Sequence, residues 1–186
     1  QRNYQTARDL IQAMHDQAQT WTFDEFTFIQ TTERGIPGTD SLSTSTWYEA
    51  LRFPNFFRID FGDPAEETAI LYRNDSSFLF RSGKLVRQQA EVNELLLLMG
   101  GIRTMEVNQV LEQMAESGFN LDIFYPRSYK GQPVFVIGAM ADDELSKQVW
   151  IHREYLTTVR RVDMLPDGRR MTIEFSDFEQ HGGKWI

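Results

Sequence analysis

The stretch VWIHREYLTTVRRVDMLPDGRRMTIEFSDFEQHGGKW, from Val149 to Trp185, alternates apolar and polar residues almost without a break. A period of two is the signature of a β-strand with one face in the core and one in water. The turn residues Pro166, Asp167 and Gly168 divide the stretch, which predicts two long amphipathic strands joined in a hairpin. Such a hairpin has one wet face and one apolar face. The decisive question is what covers the apolar one. If the chain's own helices fill it completely, it is an ordinary core. If they cover it loosely, it is a pocket for a hydrophobic ligand.

Upstream of that stretch the pattern supplies the missing elements. Residues Tyr4 to Gln19 predict a helix, because Ala7, Leu10, Ile11, Met14 and Ala18 recur at helical spacing, with Thr6 and Asp9 as a capping signal. From Trp21 the period changes to two. WTFDEFTFIQTTER slips phase at Asp24-Glu25, which marks a bulge or the true start of the strand. A loop over GIPGTDSLS separates it from TWYEALRF, and the strands FFRIDF, TAILYR and SFLF follow at short turns. Short connections predict antiparallel neighbours. Helical spacing then returns in two pieces, Val92 to Met99 and about Thr104 to Glu116, with Gly100-Gly101 predicted to stop the first and Gly118 to end the second. FNLDIFYPRSYKG and QPVFVIGAM are again strands. The expectation is one domain over residues 1–186: a helix, about five strands, two short helices and about five more strands. The fold class is mainly β (α+β). The predicted architecture is a strongly curved, unclosed antiparallel half-barrel, with the N-terminal and two central helices over its concave face.

Composition removes several function classes. The chain carries 19 Lys and Arg against 27 Asp and Glu, a net charge of −8, and no basic run exceeds two residues, which argues against a nucleic-acid partner. Cysteine is absent, so disulfides, thiolate catalysis and cysteine-bound zinc are excluded. The longest apolar run, Leu95 to Met99, is far below the roughly 20 residues of a spanning helix. The three histidines, His15, His152 and His181, have no partner at metal-ligand spacing, and no cofactor is expected. HGGK at His181 has no accompanying Gly-x-Ser-x-Gly, so it gives no esterase signature. The carboxylates of Asp142-Asp143-Glu144 lack the alternating spacing of a calcium loop.

LRFPNFFRIDF (Leu51 to Phe61) resembles the Pro-x-x-Phe-Arg-aromatic strand pair of the LolA-like bacterial outer-membrane lipoprotein-carrier and lipoprotein-sorting superfamily. NDSSFLFRSG resembles its next hairpin. The Val149–Trp185 stretch resembles its pattern of Trp-Ile-Asp, hairpin and Gly-x-Trp. The resemblance implies an unclosed antiparallel barrel with a helical lid, exported to the periplasm, that holds acyl chains and performs no catalysis. Export fits a chain that begins at Gln1 as a mature protein; a trimmed sequence begins the same way. Two departures stand out. Phe53 occupies the place before the proline where the family often has Arg, with Arg52 one residue away. His152 stands where Asp is common.

The candidate ligand-lining residues are Phe26, Phe28, Trp47, Phe57, Ile59, Phe61, Tyr72, Phe78, Phe80, Phe135, Ile137 and Trp150, with Leu95, Leu98 and Met105 from the central helices. The same side chains suit an ordinary core, and the residues alone leave both readings open. The expected partner is a lipid or another hydrophobic small molecule, or a lipoprotein or envelope protein. The alternative is a non-catalytic interaction or sensor domain of the same fold.

Overall fold

The computed structural model describes residues 3–35, 41–91, 93, 96–164, 170–181 and 184–185. The chain divides into two compact units, Phe23–Gly101 and a second made of Gln1–Thr22 with Ile102–Ile186.

The Phe23–Gly101 unit is an open meander of six strands: β1 (Glu25–Gly35), β2 (Leu42–Arg52), β3 (Phe56–Phe61), β4 (Ala69–Arg73), β5 (Ser76–Arg81) and β6 (Lys84–Ala90). Each pairs antiparallel with the next in sequence order. The phase slip at Asp24-Glu25 is the true start of β1. Two of the hairpins close through two-residue loops whose residues both have positive φ, Asn74-Asp75 between β4 and β5 and Ser82-Gly83 between β5 and β6. Such loops match the right-handed twist of the strands they join. β6 is absent from the sequence expectation, so the helical insertion follows the sixth strand and not the fifth. Its sequence, KLVRQQA, has no apolar alternation because it is an edge strand exposed on both faces.

The segment after β6 also departs from expectation. Val92, Glu94 and Leu95 lie outside the described residues. The Asn93 side chain accepts from the Leu96 amide at 3.0 Å, and its carbonyl accepts from Leu97. A π-helical turn then spans Leu97–Gly101, and the helical backbone runs on into α2 (Ile102–Thr104). Gly100-Gly101 therefore does not stop a helix. Gly100 is needed for close approach: a Cβ there would stand 2.7 Å from the Pro54 carbonyl oxygen and 2.9 Å from the Phe53 ring.

The second unit holds α1 (Ala7–Ala18), α2, α3 (Val107–Glu116) and the antiparallel strands β7 (Phe124–Tyr129), β8 (Gln132–Ile137), β9 (Gln148–His152), β10 (Thr158–Met164) and β11 (Arg170–Glu174), in that spatial order. A small hairpin of β12 (Gln180–His181) and β13 (Lys184–Trp185) follows. α1 buries Ala7, Leu10, Ile11, Met14 and Ala18, and Thr6 and Asp9 form a reciprocal capping box. α3 starts after Glu106, two residues later than predicted. It ends in a Schellman arrangement, with the Phe119 amide donating to Met114 and the Gly118 amide to Ala115.

The Val149–Trp185 stretch is not two long strands. Its first half breaks at residues 153–157 into β9 and β10, which pair antiparallel. His152 makes that break. Its Nδ1 accepts from the amides of Glu154 and Tyr155 at 3.2 and 3.1 Å, while Leu156 takes a positive φ. Nε2 then carries the proton and faces Gln132 Oε1 at 3.3 Å. A carboxylate at this position would accept the same two amides. β9 is also buried on both faces, without the wet side the alternation predicted. The Pro166–Gly168 turn lies outside the described residues.

Candidate functional site

Strand alternation and register place one set of rings on a single face of the six-stranded sheet. Phe26 faces Leu51, Leu51 faces Phe57, and Phe57 faces Tyr72. One step along, Phe28 faces Glu49, Glu49 faces Ile59, and Ile59 faces Ile70. Trp47 and Phe61 are opposite each other at the next position. The centre of this face is buried: Leu51, Phe57, Ile59 and Ile70, joined by Leu96. Around it stand half-buried side chains, among them Phe26, Phe28, Trp47, Phe53, Phe61, Tyr72 and Met99. The rings touch in pairs. Phe26 stacks on Phe28 at 5.6 Å between centroids, Trp47 meets Phe61 edge-on at 5.0 Å, and Phe57 stacks on Tyr72 at 6.1 Å.

One carboxyl group stands among these apolar side chains. Glu49 is 5% exposed, between Trp47 and Leu51 on its own strand and opposite Phe28 and Ile59. Its Oε1 has no hydrogen-bond partner among the described residues. Burial pushes its carboxyl up to about 7, and no charged neighbour offsets the shift. By contrast the buried Asp60, on the other face of β3, is held by Arg58 through contacts of 2.8 and 2.6 Å. Glu49 was not among the predicted residues. A signal for it existed, because it occupies the apolar phase of TWYEALRF.

The predicted lining residues fall into separate places. Phe26, Phe28, Trp47, Phe57, Ile59, Phe61 and Tyr72 share the aromatic face. Phe78 and Phe80 pair with Leu71 and Ala69, on the opposite side of the sheet. Leu95 lies outside the described residues. Leu98 is buried outside this cluster; Leu96 and Met99 make the packing contact instead. Met105 is half-buried between α2 and α3 in the second unit.

Phe135, Ile137 and Trp150 also belong to the second unit and are buried there. Phe135 stacks on Phe124 at 4.9 Å and meets Tyr4 edge-on, on one side of the sheet. Trp150 lies on the other side, with the guanidinium groups of Arg127 and Arg160 over its ring at 4.9 and 4.6 Å and its Nε1 donating to Gln148. Arg52, the arginine nearest Pro54, is exposed and lies over the Phe56 ring at 4.9 Å, so Phe53 rather than a cation packs on the aromatic face. The second unit also has a shallow groove of about 420 Å³ lined by Arg8, Asn108, Leu111, Glu112, Ala115 and Leu121, none of them predicted. Asp143 caps its own turn by accepting from the amides of Leu145 and Ser146.

No protein-family model and no curated protein matches the chain. Solved structures do. A domain assigned to outer membrane lipoprotein sorting from Vibrio parahaemolyticus is 14% identical, with a TM-score of 0.53 over 96% of this chain and 81% of that one. A LolA superfamily protein from Nitrosomonas europaea is 12% identical, with a TM-score of 0.48 over 97% of this chain and 82% of that one. The complex of the CwlD amidase with the GerS lipoprotein from Clostridioides difficile gives 13% identity and a TM-score of 0.37, covering 97% of this chain and 99% of that one. The two large sheets are antiparallel and open, with few helices, and the likeness to the Vibrio domain extends over nearly the whole chain. The chain therefore has a LolA-like fold.

Proposed function

We propose that this protein is a non-catalytic carrier or binding protein of the periplasm. Its cargo is the apolar chain of a lipid, a lipoprotein acyl group or another hydrophobic molecule, held on the aromatic face of the six-stranded sheet. The observation that carries this reading is the half-buried girdle of Phe26, Phe28, Trp47, Phe61 and Tyr72 around a buried centre. These rings stay partly in water, and covering them with an alkyl chain removes apolar surface on both sides. Each buried CH₂ contributes about 0.8 kcal/mol, so ten carbons supply about 8 kcal/mol before the costs of association. The covering segment at Leu96 and Met99 yields as the chain enters and closes on release. Methionine suits that role because its unbranched side chain repacks readily. The fold likeness supports the reading without naming a ligand.

Titration with a fluorescent alkyl chain that carries an uncharged headgroup tests it. Saturable binding at micromolar concentration or below is expected, together with a lipid adduct in native mass spectra of protein taken from cells. Absence of saturable binding contradicts it. One observation favours an envelope protein-interaction domain instead: β6 offers a wholly exposed edge of seven residues. That reading predicts recurrent recovery of one protein partner from envelope extracts and no bound lipid.

A further inference from the structure

We propose that Glu49 is the polar anchor of the aromatic face and that the ligand is an amine-bearing amphiphile, its apolar part on the rings and its ammonium on the Glu49 carboxylate. This rests on the hydrophobic-ligand reading above and names the class of ligand.

A buried carboxyl group demands partners, and those on this face supply none. β1 presents Phe28 opposite Glu49, with Phe26 and Gln30 at the diagonals. β3 presents Ile59, with Phe57 and Phe61 at the diagonals. β2 adds Trp47 and Leu51, and the covering segment adds Leu96 and Met99. None of these side chains is titratable or charged. Gln30 does not compensate, because its amide donates to Thr32 at 2.9 Å and Glu49 Oε1 remains without a partner among the described residues. A leucine at position 49 would complete the apolar face at no such cost. The carboxyl is therefore oriented for a group that comes from outside the chain. An ammonium satisfies its charge and its lone pairs together. The rings beside it strengthen the choice, since aromatic faces attract cations and disfavour anions. A carboxylate headgroup would meet repulsion at the same point. A hydroxyl would make a hydrogen bond without neutralising the charge.

The test compares decylamine, decanol and decanoate, each below its aggregation concentration, by calorimetry at pH 8. The wild-type protein is expected to bind the amine at least about tenfold more tightly than the alcohol, with decanoate weakest. Glu49→Gln should remove that preference, and an unchanged circular dichroism spectrum with one cooperative urea transition certifies the fold of the variant. In the wild-type protein the amine-to-alcohol ratio should fall between pH 8 and pH 5.5 as the Glu49 carboxylate takes up a proton. A ratio that is the same in the variant and constant with pH overturns the assignment of Glu49 while the carrier reading stands. Failure of the wild-type protein to bind any of the three chains overturns the carrier reading and this inference with it.

Discussion

Two buried ionisable residues give the molecule opposite responses to pH. The folded protein raises the Glu49 carboxyl to about 7 from an ordinary 4.5, so between those values the folded state holds a proton the unfolded chain has lost. Stability is then greatest below pH 4.5, falls as pH rises to 7 and is level above, by about 3 kcal/mol in all. Glu49→Leu should abolish that slope and gain about 2–3 kcal/mol at pH 8; urea unfolding of both proteins at pH 5 and pH 8 measures it, and parallel curves contradict it. His152 acts the other way. Burial lowers its pKa, and the neutral ring uses Nδ1 to hold the 153–157 turn. Its contribution is full above about 6.5 and is lost as pH falls below that value. His152→Ala should cost about 2–3 kcal/mol at pH 7.5, whereas His152→Asp keeps an acceptor for the two amides and should cost less. Equal losses in the two variants would show that packing, not the turn, is what the ring provides. Glu49 was legible in the sequence as a charged residue in the apolar phase of a strand. The His152 turn was not, because Arg153 to Thr157 contains no glycine, proline or asparagine and the bend depends on a side-chain acceptor and a left-handed leucine.

Among the elements, those made by local chemistry were read correctly. The Thr6–Asp9 capping box and the 3.6 period gave α1, and alternation gave β2 to β5. Elements whose residues answer to tertiary context were misread. β6 has no core face to impose alternation. β9 lies centrally and is buried on both sides, with Gln148 and His152 among its buried residues, which a wet-and-dry alternation does not describe. The glycine pair at 100–101 carries the composition of a helix stop, yet Gly100 is there because the Pro54 carbonyl passes close by. Gly100→Ala should therefore destabilise the protein by about 1–3 kcal/mol despite the better helix propensity of alanine. Chemical denaturation decides the sign; a stabilised variant would mean the glycine serves only as a terminator. Gly83 is held by backbone conformation as well as space. Its φ is +71°, and a Cβ would meet the Glu67 carboxylate, so Gly83→Ala should also destabilise the protein and loosen the β5–β6 hairpin. Slower amide exchange in β6 of that variant would contradict this.

For the whole molecule, the order of antiparallel strands around a central helical insertion was legible, and it is what the likeness to the Vibrio domain confirms as fold. The candidate site was legible in part. Period two put Phe57, Ile59 and Phe61 on one face, but it could not assign β5. Phe78 and Phe80 share the alternation of a lining strand, and only the register with β4 shows that they point the other way. Nor could it separate Phe135, Ile137 and Trp150, which are buried in the second unit against Tyr4, Phe124 and two arginines. The central claim is that a hydrophobic chain lies on the face built from β1 to β4. A photoreactive alkyl diazirine chain, cross-linked to the protein and located by peptide mass spectrometry, measures this directly. The account predicts saturable labelling of the peptides that carry Phe26, Phe28, Trp47, Phe61 and Tyr72, displaced by unlabelled chain. Labelling confined to Phe78 and Phe80, to the groove beside Leu111, or to no displaceable site would contradict it.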